Sequence, residues 1–499
     1  MDPESIIKPE SLENIQNFEG KYPKQLWLLF LSEMWERFSF YGMRGMLTIF
    51  MVEKLLLSEK DANLKYGAIQ AFVYTMAFVG GLFADKILGF RKSIFWGGLL
   101  MIVGSFTLAF SPEHLYYIGI SFTIVGTGFF KPNISTMVGS LYKAGDPRRD
   151  AGFGLFYSGI NIGALLGGYL CITVANNYSW NAAFSLAGIG MILGLGIFIF
   201  TRTKLGPIGI SPLLEKASPA KIRLYDILVY VGSLLVIPLV LLLVSNTSYT
   251  DKFMYTVGPL TILYIIYEMF KYNRVEKQKL IAAMIFVIFS IFFWAFFEQS
   301  GGSLSLFARY NIKHSLVGIK MDPNVINNAA NSLFVIILSP IIGLLWLWLN
   351  KRKLEPNTVV KFGLGFIFLS LAFYVFYDTR FFADANGMTS LNVFTIAYLV
   401  VTLGELCLSP IGLSIITKLS PKPLHGVMMG MWFLASAYGQ YAAGILGAGM
   451  ATVNEKASLT EKMMSYTLGY KQLAIYALIA GVILIIISPL VRKLMHEVH

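Results

Sequence analysis

The residues with the most to do chemically lie close together near the start of the chain. LSEMWERFSFYGMRG, Leu31 to Gly45, sits inside an apolar run from Leu26 to Val52. In an α-helix turning about 100° per residue, with Glu33 at zero, Glu36 falls at about −60°, Arg37 at about +40°, Tyr41 at about +80° and Arg44 at about +20°. One face thus carries two carboxylates, two guanidiniums and a phenol, while Trp35, Phe38 and Met46 lie on the other. A charged side chain at mid-bilayer costs roughly 3 kcal/mol on insertion scales, so this face must line water, ionic partners or both. A helix lying flat on the membrane with a solvated stripe would also carry such charges, but many further apolar spans follow it.

Those spans are what must position the cluster. The chain has 499 residues, 56% of them hydrophobic and 14% charged, against roughly 25% charged in soluble domains, and its mean hydropathy is +0.64. This composition is that of a polytopic, all-α membrane protein whose core is a helix bundle in lipid. Its net charge of +12 comes from Lys and Arg in short loops between apolar spans, where the positive-inside rule accounts for them, so no nucleic acid partner is implied. Cys171 and Cys407 both lie within apolar spans, which gives neither a disulfide framework nor a metal site. All five histidines, His114, His314, His425, His496 and His499, fall in or near loops. Proton chemistry inside the membrane is therefore left to carboxylates, Tyr and Lys.

Apolar runs long enough to cross roughly 30 Å of hydrocarbon number about fourteen, an even count that puts both termini on one side. Alternate connections hold most of the Lys and Arg, among them Lys86, Arg91 and Lys92, then Lys143, Arg148 and Arg149, then Lys351, Arg352 and Lys353. Both ends are thus expected in the cytoplasm. The opening residues lack the basic start, apolar run and small-residue site of a signal peptide, and read as a cytoplasmic tail over 1–24. TKLGPIGISPLLEKASPAKIR, residues 203–223, reads as a cytoplasmic linker. The two spans after it carry little charge beyond Asp226 and Glu268 and look peripheral. The expected division is a six-helix bundle over 25–203, the linker with two extra helices over 204–275, and a second six-helix bundle over 276–499.

Setting the extra pair aside, the buried ionisable groups fall on one repeat position. Glu33, Glu36, Arg37 and Arg44 are on the first of the twelve spans, Lys131 on the fourth, Glu298 on the seventh and Glu405 on the tenth. In a fold of three-helix repeats these are the leading helices of all four, which implies one shared cavity. Lys131 with Glu405, and Arg44 with Glu298, are the natural ion pairs. Each is either a permanent structural bridge or one made in one state and broken in another. In GTGFFKPNIS, Lys131 directly precedes Pro132, which frees a carbonyl one turn back; in GELCLSPIGLS, Glu405 and Ser409 are one turn apart beside Pro410. FYSGINIGALLGG sets Tyr157 and Asn161 on one face, and FFWAFFEQSGG sets Trp294 and Glu298 likewise. Asn331 and Trp432 add polar and aromatic groups at membrane depth.

GGLFADKILGFRK, Gly80 to Lys92, resembles the loop signature of the major facilitator superfamily. More specifically, Glu33, Glu36, Arg37, Phe38, Tyr41 and Gly42 resemble the ExxERFxYYG motif of the proton-coupled oligopeptide transporter family. GTGFFKPN, FYSGINIGAL and GELCLSPIGLS resemble further motifs of that family in the same order. The extra helix pair and the short connection from Thr379 to Ser390 are similar to its bacterial branch. The resemblance implies a major facilitator fold of two six-helix bundles plus two extra helices. It also implies proton-coupled import of di- and tripeptides by alternating access, without a cofactor, by a monomer in the inner membrane. It places Glu33, Glu36 and Arg37 in a proton-coupling cluster, with Glu298 a further protonation candidate. Tyr41, Arg44, Tyr74 and Lys131 would meet the peptide carboxylate. Glu405, Asn161 and Asn331 would meet its amino end and backbone, Ser409 stands on the same motif, and Tyr157, Trp294 and Trp432 would shape side-chain pockets. Two departures are Phe40, where the motif usually has tyrosine, and Ala77, where a proline is usual.

Cations on two spans facing anions on two others suit a zwitterionic cargo. The rival solutes within such a fold are nitrate and glycosides. A membrane enzyme would need a nucleophile with its base or paired aspartates within the spans, and an ATP-driven pump a Gly-rich phosphate loop; the sequence has neither.

Overall fold

The computed structural model describes residues 11–143, 145–408, 412–452 and 457–498. Helices of 18 residues or more are, in chain order, α1 Lys24–Arg44, α2 Glu59–Phe83, α3 Phe90–Phe110, α4 Tyr116–Ser140, α5 Arg148–Asn177, α6 Trp180–Thr201, α7 Pro219–Ser245, α8 Thr247–Met269, α9 Arg274–Phe297, α10 Pro323–Lys351, α11 Thr358–Asp378, α12 Leu391–Leu408, α13 His425–Met450 and α14 Leu459–Met495. Among the described residues, ten helices are long and apolar enough to cross a membrane. The other four long ones, α1, α4, α8 and α13, are diluted by charged, amide or glycine residues. A two-residue hairpin, Ser315–Leu316 against Ile319–Lys320, is the sheet found among the described residues.

The chain forms two compact units. One holds the residues up to Met43 together with Thr75–Leu242, the other Arg44–Tyr74 together with the residues from Leu243 onward.

In the first unit the close helix crossings are made through glycine. A Cβ on Gly97 of α3 would lie 2.5 Å from the Gly126 carbonyl of α4, and one on Gly104 2.6 Å from that of Gly119. Where lipid replaces water there is no hydrophobic drive between helices, so small residues that let backbones touch supply the packing. The same device seats α1. A Cβ on Gly163 of α5 would lie 2.1 Å from the Met34 carbonyl and one on Gly167 2.3 Å from that of Phe38, while Ser32 Oγ donates to the Gly194 carbonyl of α6 at 2.8 Å. Replacing Gly163 with leucine should therefore cost at least 1–3 kcal/mol and cut the yield of monodisperse protein. Gly196→Ala, on the same unit where nothing lies within 4 Å, should be silent in the same chromatographic test.

Between α2 and α3 the chain passes through a wide π-type turn, Ala84–Leu88, and leaves at Gly89 with φ +76°, a value that suits glycine. The linker docks exactly there. Arg91 donates to it three times, from its backbone N–H to the Gly209 carbonyl (2.9 Å), from Nε to that of Ile208 (2.7 Å) and from Nη2 to that of Gly206. A Cβ on Gly89 would strike the Ile210 backbone at 2.5 Å. Asp85, the acid of this loop, is exposed and makes no side-chain bond among the described residues.

The second unit has an aromatic core. Phe307, Phe376, Phe394, Tyr398 and Tyr470 are nearly or wholly buried and meet edge to face or tilted at 5.2–6.3 Å, the geometries that ring quadrupoles favour. Two expected continuous spans are broken. The run over 25–53 ends as α1 at Arg44 and resumes as Leu47–Glu53 beyond Gly45, a residue of low helical preference at a point where a side chain would collide with Asn328. The run over 280–300 ends as α9 at Phe297, followed by a 3₁₀ turn, Glu298–Gly301, and a short helix, Ser303–Asn311; its Ser-Gly-Gly sequence has little helical preference.

Candidate functional site

In the first unit α1 buries a triad. Glu33, Glu36 and Arg37 are 1%, 0% and 2% exposed. Arg37 Nε donates to Glu33 Oε1 at 2.7 Å and stands 2.9 Å from Glu36 Oε2. Glu33 Oε2 and both oxygens of Glu36 accept no hydrogen bond among the described residues. Two carboxylates around one guanidinium leave a net negative charge in a dry place, which a proton can remove.

Phe40, the departure from the usual motif, lies between two cations. The Arg37 guanidinium is 5.9 Å and the Lys131 ammonium 6.0 Å from its ring centre. A phenyl face at that range attracts a cation by about 0.5–1 kcal/mol, so the ring takes over part of the work of holding both without adding a group that titrates. Phe40→Leu is expected to lower thermal stability by about 1–2 kcal/mol in total and to shift the pH profile of transport, read by melting in detergent and by uptake at stepped external pH. Tyr41 packs edge to face on Phe40 at 5.4 Å. Helix α4 runs unbroken through Pro132. The Gly128 carbonyl that Pro132 cannot bond is covered by Gly80, whose Cβ would come within 2.2 Å. Asn161 gives one of its two amide hydrogens to the Tyr157 carbonyl on its own helix at 3.0 Å.

In the second unit Arg44 ion-pairs with Glu298 through Nη2 and receives a second partner the sequence reading missed, donating from Nε to Tyr66 Oη at 2.6 Å. Thr48 donates to the Gly301 carbonyl of the same turn. Glu405 accepts from Asn331 Nδ2 at 2.8 Å, and that amide also reaches Thr402 Oγ1 at 3.1 Å. Thr402 donates to the Tyr398 carbonyl (2.8 Å), Tyr398 Oη to Asn327 Oδ1, and Asn327 Nδ2 to the Ser300 carbonyl at 2.7 Å. Two short sets of hydrogen bonds thus meet at Tyr398, one reaching Glu405 through its main-chain carbonyl and the other reaching the turn that carries Glu298 through its phenol. Asn324, Asn327, Asn328 and Asn331 recur at helical spacing in PNVINNAANSL, a pattern that announces these bonds; nothing local marks Tyr66 or Tyr398.

Trp294 packs on Phe293 and Phe297, and its Nε1 is buried with no acceptor among the described residues. Trp432 lies against Gly412. Tyr74 packs with Phe253 and Tyr438 on the cluster of Ala71, Met254, Ala437 and Tyr441. Ser409 lies outside the described residues. The ion pairs that went unread in the sequence include Arg309 with Glu53 at 2.6 Å and Lys462 with Glu59 at 2.5 Å. Among the described residues no cluster of His, Cys, Asp or Glu could hold a metal.

Comparison with known proteins gives the family. Residues 91–464 match the POT family. The uncharacterized transporter YclF of Bacillus subtilis is 34% identical, over 100% of this chain and 99% of its own. The peptide transporter YePEPT of Yersinia enterocolitica is 32% identical over 95% and 96%, and dipeptide and tripeptide permease B of Xenorhabdus bovienii 30% over 95% and 97%. The crystal structure of peptide transporter POT in complex with sulfate superposes with a TM-score of 0.81 at 33% identity, covering 96% of this chain and 97% of that one. A POT family transporter in complex with 5-aminolevulinic acid does so with 0.80 at 28%, over 96% and 99%. Buried acid–base clusters on a helical membrane scaffold, full-length relatives and a shared fold lead to one conclusion: the chain belongs to the POT family, and it is a transporter rather than an enzyme.

Proposed function

We infer that the chain is a proton-coupled symporter that imports di- and tripeptides by alternating access. The observation that carries this is the pair of buried ionic groups, Glu33–Glu36–Arg37 and Arg44–Glu298, each expensive to bury and each with a carboxylate whose protonation releases an arginine. Nothing in the site favours nitrate or a glycoside over a peptide.

In this reading all fourteen long helices cross the membrane, twelve in two six-helix bundles with α7 and α8 as the extra pair. Both termini face the cytoplasm, and the protein works as a monomer in the inner membrane without a cofactor. Arg44, Tyr41, Tyr74 and Lys131 hold the peptide carboxylate. Glu405 with Asn331 holds the amino end, and Asn161 contacts the peptide backbone. Tyr157, Trp294 and Trp432 border side-chain pockets, with the Trp294 indole N–H available to a ligand acceptor. Arg44–Glu298 and Lys131–Glu405 act as gating bridges, the second assigned from the charge bookkeeping of the sequence.

The test is uptake of a labelled dipeptide by liposomes holding the purified chain. Uptake should rise severalfold with an inward proton gradient and be competed by unlabelled dipeptides but not by nitrate. Flux indifferent to the gradient would remove the coupling, and flux competed by nitrate alone would remove the peptide.

A further inference from the structure

A cavity of about 360 Å³ opens in the first unit where α3 begins and α6 ends. Arg91, Lys92 and Arg202 stand on its wall beside Phe95, Ile210 and Tyr230. Lys92 is paired with Asp226. Arg91 is fixed by the three linker carbonyls, which leave most of its five donors unspent. Arg202 is exposed, makes no ion pair or side-chain hydrogen bond among the described residues, and is a like charge near enough to act on Arg91. The cavity therefore carries two guanidiniums with no acid between them.

The apolar side of the cavity does not end at its rim. Phe95, Leu99, Val103 and Phe106, each 37–39% exposed, continue down one face of α3 at helical spacing. Ile210 and Leu214 of the linker, 45% and 54% exposed, flank the mouth. A soluble anion would leave this stripe unused. A molecule with an anionic head and long apolar tails would use both.

We propose that this cavity binds the phosphodiester headgroup of an anionic phospholipid, with Arg91 and Arg202 on the phosphate and an acyl chain along α3. Guanidinium forks match phosphate oxygens, and basic pockets between membrane helices are suited to anionic headgroups. The lipid would also fasten the docked linker to α3 and α6, because Arg91 of α3 holds the linker and Arg202 directly follows α6. The proposal rests on α3 and α6 spanning the bilayer, and not on what the protein transports.

The full chain, purified in detergent, is titrated in native mass spectrometry with dioleoyl phosphatidylglycerol and with dioleoyl phosphatidylcholine. Phosphatidylglycerol should bind the wild type at least roughly fivefold more tightly. Arg202→Gln should lose about that factor and Arg202→Lys should keep most of it. Leu214→Glu, which sets a like charge at the mouth without touching either arginine, should weaken binding in parallel and guards against a folding artefact in the first variant. Equal affinity for the two lipids, or Arg202→Gln indistinguishable from wild type, would overturn the proposal. Displacement of the lipid by millimolar inorganic phosphate would overturn it in favour of a soluble anion. Because lipid retention is read without any peptide, a failure of the transport reading would leave this result standing.

Discussion

Glutamine in place of Glu36 is expected to bring gradient-driven dipeptide uptake down to background while peptide counterflow continues. Glu36 is wholly buried, pairs with Arg37 at 2.9 Å and accepts no hydrogen bond among the described residues, so the amide imitates its protonated form with little else disturbed. Arg37 retains Glu33, and the triad passes from net negative to neutral. Glu33→Gln should also uncouple transport but at a greater structural cost. It removes the charge-assisted bond that Arg37 Nε makes at 2.7 Å, of a kind worth about 1.5–3 kcal/mol. The pair of variants therefore separates a proton carrier from a positioning residue: equal loss of coupling with unequal loss of melting temperature. Survival of gradient-driven uptake in both would take the triad out of the coupling mechanism.

The second large effect concerns Arg44. Removing it as Arg44→Ala strands Glu298, 4% exposed, and breaking one side of a buried pair costs about 3–5 kcal/mol. Tyr66→Phe loses only the neutral partner of Nε and should cost about 1 kcal/mol. The double variant Arg44→Ala with Glu298→Gln should regain part of the stability, since no uncompensated charge is left, yet remain without transport. Thermal unfolding in detergent reads the first quantity and liposome uptake the second. Stability unchanged in Arg44→Ala would mean that the pair is solvated rather than buried. Lysine at position 44 keeps the charge but not the fork that reaches both Glu298 and Tyr66, and is expected to fall between wild type and alanine.

Much of this was legible in the sequence because a charge in oil has few explanations. Glu33, Glu36, Arg37 and Arg44 announce themselves against apolar neighbours, the Arg44–Glu298 pair follows from counting which spans carry ions, and Asn331 beside Glu405 follows from the family resemblance. What was illegible is instructive too. Gly163 and Gly167 were read only as neighbours of Tyr157 and Asn161, whereas they are where α1 rests, since a missing side chain leaves no periodicity to see. Asn161 also bonds its own helix at the Tyr157 carbonyl, a choice decided by rotamer and not by spacing. Phe40 was read as a lost hydroxyl; its ring face, shared by two cations, emerges only when α4 is placed. The breaks after Arg44 and Phe297 were hidden because an uninterrupted apolar run is also what a straight helix requires.

The hydrogen bonds from Glu405 through Asn331 and Thr402 to the Tyr398 main chain, and from the Tyr398 phenol through Asn327 to Ser300, connect the places of two proposed events, capture of an ammonium at one end and uptake of H⁺ beside the other. Thermodynamic linkage then works in both directions. Whatever factor an added proton contributes to cargo affinity, cargo must return to proton affinity, so a saturating dipeptide should displace the midpoint of proton binding by the logarithm of that same factor.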